Sequence, residues 1–195
     1  MPSHPATSET ATLGLALLFA GGIVLGLANL LPVPALAATG LLAFAMAAIT
    51  INDIKYFLIP DRISLPAVLL GAVANIVVFH GGDWRAGLTE SAIGAGLAAG
   101  AFYALRVFYQ RFRGFEGLGL GDVKLAAAAG SWLGYAPLAM VVLTAALAAL
   151  VVVLLVTAFR PGSGISATTH IPFGSFLAPA ILLFWILRLF GFSLI

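Results

Sequence analysis

Long apolar stretches alternate with short polar ones along almost the whole chain. The first ten residues are polar and are expected to lack fixed structure. The first apolar run covers Ala11 to Leu31, close to the ~20 residues a helix needs to cross a bilayer. Pro32 and Pro34 mark a tight turn. A second run, Ala35 to Ile51, ends at Asn52-Asp53. A polar and aromatic connector, Ile54 to Arg62, leads into a third run that reaches His80. Asp61 or Ser64 is expected to cap it, with Pro66 in its first turn. Gly81 to Arg85 is a turn with Trp84 suited to a membrane interface. The fourth run, Leu88 to Tyr109, carries Gly94, Gly96 and Gly100, which predict a small-residue packing face. After a loop from Gln110 to Gly121 comes the fifth run, Asp122 to Ala136. It is the least hydrophobic and is expected inside the bundle. Pro137 separates it from the sixth run, Leu138 to Phe159. A polar loop, Arg160 to Thr169, precedes the last run, Pro172 to Leu194. The pattern predicts an all-α bundle of about seven transmembrane segments, with residues 1–195 as one membrane-embedded unit.

Composition agrees with that reading. The chain is 62% hydrophobic and 8% charged, against about 25% charged residues in ordinary soluble domains. A soluble domain of this size could not hide so much apolar surface, so the chain reads as a polytopic membrane protein. Ala35-Leu36-Ala37 resembles a signal-peptide cleavage site. No Lys or Arg precedes the first run, however, and the run is longer than a usual signal core, so a retained span is expected. With no cysteine there is no disulfide, thiolate metal site or cysteine nucleophile. His4, His80 and His170 are scattered, so a histidine metal cluster is not expected; no cofactor is expected either. The net charge of +2 is too small to argue for nucleic acid.

Placement of the basic residues is more informative than their sum. With a cytoplasmic N-terminus and seven spans, Lys55, Arg62, Arg106, Arg111, Arg113, Lys124 and Arg160 fall on the cytoplasmic side. Arg85 and Arg188 fall on the other. Seven of the nine basic residues on one side is a positive-inside bias. The same assignment puts Asp53 and Asp122, 69 positions apart, at one face.

These two aspartates are the candidate chemistry. Taken alone, Asp53 at a helix C-terminus faces the unfavourable end of the macrodipole and could pair with Lys55 or Arg62. Asp122 alone could be a helix cap after a glycine-rich loop. The Gly-x-Gly spacing also fits a dinucleotide fingerprint, but no strand precedes it. Together the aspartates point to hydrolysis. Two carboxylates held close cannot both ionise easily, so the pair shares a proton. One then acts as base on a water while the other protonates the carbonyl or leaving group. Gly119 and Gly121 would let the loop approach an extended substrate backbone. A non-catalytic transporter or assembly subunit that uses the aspartates for protons or cations is the alternative. Inverted repeats would favour it, and none is visible.

Gly119-Leu120-Gly121-Asp122, with Glu116-Gly117-Leu118 before it and Val123-Lys124-Leu125 after it, resembles the GxGD motif of the type IV prepilin peptidases. These are membrane aspartic proteases. Asp53 followed by Ile59-Pro60-Asp61-Arg62-Ile63-Ser64-Leu65-Pro66 is similar to that family's first aspartate and its downstream stretch. Ile171 to Ala178 is similar to its C-terminal stretch. The resemblance implies that Asp53 and Asp122 are the catalytic pair. It also implies cleavage of a short basic leader from prepilins or pseudopilins, after a glycine, at the cytoplasmic face of the bacterial inner membrane. The substrate is itself a hydrophobic helix, so it would enter laterally from the lipid.

Longer family members carry a further N-terminal segment and a domain with paired CxxC motifs. This chain resembles the peptidase core, which implies cleavage without N-methylation. Glu116 is expected to assist the site or bind the basic leader, unless it is a solvated loop acid. Lys124 is expected to tune Asp122 or meet lipid phosphate, unless it merely snorkels. Phe173 and Gly174 are expected to line the substrate path, with packing of a helix start as the alternative. His170 reads as a loop residue, and Glu90 has no role that the sequence argues.

Overall fold

The computed structural model describes residues 5–113, 118–159 and 172–192. Among the described residues the secondary structure is entirely helical. Helices satisfy every backbone polar group within one segment, which lipid requires. The order is α1 (Pro5–Leu27), α2 (Val33–Tyr56), α3 (Asp61–Ala74), α4 (Trp84–Arg113), α5 (Leu120–Leu133), α6 (Leu138–Phe159) and α7 (Gly174–Leu189). A wide π-turn, Asn75–Phe79, extends α3, and the His80 N–H donates to the Asn75 carbonyl at 3.3 Å. Five helices are long and apolar enough to cross a membrane: α1, α2, α3 with its π-turn, α4 and α6. At 14 and 16 residues, α5 and α7 are shorter.

Several boundaries differ from the sequence expectation. α1 starts at Pro5, inside the stretch expected to lack structure; proline tolerates a first helical turn because its missing N–H has no partner there. α2 runs on to Tyr56, so Asp53 lies within its last turn rather than beyond it. Neither Asp61 nor Ser64 caps α3. Pro60, in extended conformation, precedes the helix and no side chain caps it. The Asp61 carboxylate goes instead to Lys124. α4 reaches Arg113, four residues into the expected loop. α5 stops at Leu133, where Gly134 turns the chain with φ +75°. The Arg160–Thr169 loop lies outside the described residues.

α5 is the central element. At 1.5 Å per residue it spans about 21 Å, and from Leu125 to Leu133 only Ala127 is not fully buried. It packs against α4, α3 and α7. Glycines set these approaches. A Cβ on Gly130 would overlap the Gly94 backbone, and a Cβ on Gly71 would lie 2.6 Å from the Trp132 ring. With no side chain at Gly71, the α3 carbonyls stay open to α5. The Trp132 indole donates to the Ala67 carbonyl at 2.7 Å, and the Ser131 hydroxyl to the Val68 carbonyl at 2.6 Å. The small-residue face of α4 is therefore Ser91, Gly94 and Ala98, all buried. Gly96 and Gly100 have open space where a Cβ would stand, contrary to expectation. A three- or four-residue step keeps a helical face; the two-residue step from Gly94 to Gly96 leaves it.

On α6 the buried positions are Val141, Ala145 and Ala149, an i, i+4, i+8 stripe. Leu143, Leu147, Leu150 and Leu154 face outward. That apolar exterior is what a lipid-facing helix requires. At the end of the bundle away from Asp53, Glu90 acquires partners that the sequence did not disclose. Arg188 donates to one of its oxygens at 2.9 Å, and His80 lies 2.7 Å from the other. The Arg188 guanidinium also lies 3.9 Å from the Phe79 ring centroid.

Gly130→Val should lower stability by about 3 kcal/mol through overpacking against Gly94. Gly96→Ala should be neutral or stabilising by up to about 1 kcal/mol. Thermal unfolding in detergent checks both; equal losses would contradict the packing of α4 on α5.

Candidate active site

Asp53 is brought to the site by the C-terminal turn of α2. Its carboxylate is buried, with the residue 5% exposed. A buried carboxylate needs donors, and α7 supplies one. The first N–H groups of a helix have no partner within it, and the Ser175 N–H donates to Asp53 Oδ2 at 2.6 Å. The unfavourable C-terminal dipole of α2 is thus met by the favourable N-terminal dipole of α7. Gly174 makes room for this contact. A Cβ there would lie 3.0 Å from Asp53 Oδ2 and 2.7 Å from Ile59 Cδ1.

Asp122 stands in the first turn of α5. Its Oδ2 accepts from the Gly119 N–H at 3.2 Å, which is one half of a capping box. Each aspartate therefore has Oδ2 tied to a backbone N–H. Among the described residues no donor meets either Oδ1. Both carboxylates line one cavity of about 190 Å³, close enough for the charge of one to act on the other. Gly119, Leu120, Gly121 and Lys124 complete one wall, and Phe57, Leu58, Ile59 and Asp61 the other.

Of the residues expected to bind substrate, Gly119, Gly121 and Lys124 reach this cavity. Lys124 is engaged with the Asp61 carboxylate. Phe173 does not line the cavity; its ring packs 6.3 Å from that of Phe102. Gly174 acts from behind, against Asp53 and Ile59. Glu116 and His170 lie outside the described residues. The bland partners for Asp53 are not used: Lys55 reaches the Thr12 hydroxyl at 3.5 Å instead.

Sequence reasoning assigned no role to Phe57, Leu58, Ile59 or Ser175. Phe57 adopts a left-handed conformation, φ 52°, and its N–H returns to the Asp53 carbonyl at 2.9 Å. That turn directs the connector back across the cavity. Glycine usually fills this position, so no residue type signalled the turn. Ile59 was visible only as one letter of a motif.

A membrane bundle with two backbone-held carboxylates in one cavity belongs with polar sites built for chemistry or transport. Comparison with known proteins narrows the choice. The profile described as "Type IV leader peptidase family" matches residues 40–154. A Burkholderia pseudomallei protein named prepilin leader peptidase/N-methyltransferase is 37% identical over 146 residues, 74% of this chain and 44% of that protein. Proteins of the same name from Pectobacterium carotovorum subsp. carotovorum and Aeromonas hydrophila are 37% and 34% identical. They cover 66% and 79% of this chain, and 45% and 49% of their own lengths. The chain thus spans about half the length of the curated relatives it matches. No solved structure shows a significant match. The chain belongs to the type IV leader peptidase family.

Gly174→Ala should break the Ser175–Asp53 hydrogen bond, because the new methyl and the carboxylate compete for one space. Deuterium exchange at the Ser175 amide should speed up, with the Trp132 region unchanged. Unaltered exchange at Ser175 would show that Gly174 does not hold that contact open.

Proposed function

We propose that this chain is an aspartic endopeptidase of the bacterial inner membrane that removes the basic leader from prepilins or pseudopilins. The observation that carries the reading is the shared cavity of Asp53 and Asp122, each tied through Oδ2 and, among the described residues, without a donor at Oδ1. A water between the open oxygens gives its proton to the ionised carboxylate and attacks the scissile carbonyl carbon. The protonated carboxyl gives its proton to the carbonyl oxygen. Collapse of the tetrahedral intermediate breaks the C–N bond, and the departing nitrogen takes a proton from the dyad. The leader leaves with a new carboxylate and the pilin with a new amine, and no covalent enzyme intermediate forms.

The glycines of the Gly119–Gly121 stretch would leave the substrate backbone close to Asp122. Glu116 is assigned to the basic leader by charge. The N-terminus and the acidic cavity are assigned to the cytoplasmic side, on the distribution of basic residues. Membrane lipid surrounds the bundle and admits the substrate helix laterally.

Asp53→Asn and Asp122→Asn should each abolish cleavage of a synthetic prepilin by the purified chain in detergent, at unchanged thermal stability. Asparagine keeps the shape and cannot act as a base. Near-native turnover in either variant would remove the dyad.

The proposal stops at cleavage. Gly119, Leu120 and Gly121 line the acidic cavity, and Arg160–Thr169 contains neither an aromatic nor an acidic residue to hold a methyl donor. Mature pilin formed with S-adenosylmethionine present should therefore show no added methyl mass. A donor-dependent gain of one methyl group would assign both reactions to these residues.

A further inference from the structure

The connector that covers the cavity is fastened by an ion pair. The Lys124 ammonium on α5 meets the Asp61 carboxylate at the start of α3, across 63 positions of sequence. Inside this pair lies Ile59, which is buried. A Cβ on Gly121 would fall 2.9 Å from Ile59 Cβ, and a Cβ on Gly174 would fall 2.7 Å from Ile59 Cδ1. The isoleucine side chain thus fills the space between the start of α5, which carries Asp122, and the start of α7, which holds Asp53. Lys124 is two residues beyond Asp122 on the same helix. Whatever fixes Lys124 against Asp61 also fixes where the Asp122 turn stands relative to Ile59.

We propose that Asp61 and Lys124 form a positioning clasp. Their ion pair seats the Phe57–Pro60 connector, with Ile59, against the start of α5 and sets the stance of Asp122 toward Asp53. The inference rests on the dyad proposed above; neither residue of the clasp touches the reacting atoms. The clasp must also open. The cavity holds about 190 Å³, less than the roughly 300 Å³ at the small end of ligand pockets, so an extended peptide needs the connector to lift. The Asp61 side chain is 59% exposed and that of Lys124 33%. Solvent-exposed ion pairs are weak, so this one can release the connector and re-form behind the substrate.

A double-mutant cycle on the whole chain in detergent, with a synthetic prepilin, tests the clasp. Asp61→Asn and Lys124→Gln should each lower kcat about tenfold with little change in KM, and together no more than the worse single variant. The exchanged pair, D61K with K124D, should recover to within about threefold of wild type. Additive losses, or an exchanged pair no better than the singles, would overturn the proposal. Deuterium exchange provides a second readout that needs no substrate. The amides of Phe57 and Gly119 should exchange faster in Asp61→Asn, and that of Gly134 should not. Identical exchange in variant and wild type would overturn the clasp. If the wild-type chain cleaves no prepilin, the peptidase reading fails, and exchange still decides the clasp.

Discussion

The arrangement depends on one hydrogen bond, from the Ser175 N–H of α7 to the Asp53 carboxylate of α2. Removing a carboxylate from water costs several kcal/mol unless donors replace the water. Here the donor is an amide at the start of a helix, which the helix itself leaves free; it is shared with the Pro172 carbonyl at the longer distance of 3.2 Å. The requirement propagates outward. Gly174 must lack a side chain so that the carboxylate can reach the amide. α7 must lie antiparallel to α2, and a second bond secures it at the far end, where the Trp185 indole donates to the Thr39 hydroxyl at 2.9 Å. One helix is thus pinned to the other near both ends, and the pin nearest the cavity is the Asp53 carboxylate.

Asp122 reaches the same cavity by a different route. Its helix is short and buried, so its height in the bundle is set by packing against neighbours. Backbone contact at Gly94–Gly130 and the Trp132 and Ser131 bonds to α3 carbonyls fix that height. Weak individual contacts suffice because glycine permits close approach over a whole helical turn. Two independently anchored helix ends then present two carboxylates to one small space. That is how two carboxylates 69 positions apart come to share one cavity without a direct bond between them.

Much of this was legible in the sequence. The apolar runs predicted the helices, because lipid allows few other structures. The charge bias alone puts both aspartates at one end. Gly119, Gly121 and Asp122 could be read from one motif, and Lys124 lay beside them. Less legible were effects that need two distant segments. Glu90 meets Arg188 across 98 positions, and nothing local to either signals the other. Asp61 looked like a helix cap because local sequence offers only local partners; Lys124, 63 positions away, takes it instead. The left-handed Phe57 and the wedge of Ile59 escaped for a further reason. Their roles follow from the path of the backbone, which residue type did not encode there.

The most direct test of the account is a single-turnover cleavage of a synthetic prepilin in water enriched in oxygen-18, with mass analysis of both peptide products and of the protein. The account predicts one labelled oxygen in the new carboxylate of the leader and none in the peptides that contain Asp53 or Asp122. Uncut prepilin, or label appearing in either aspartate carboxyl, would contradict it.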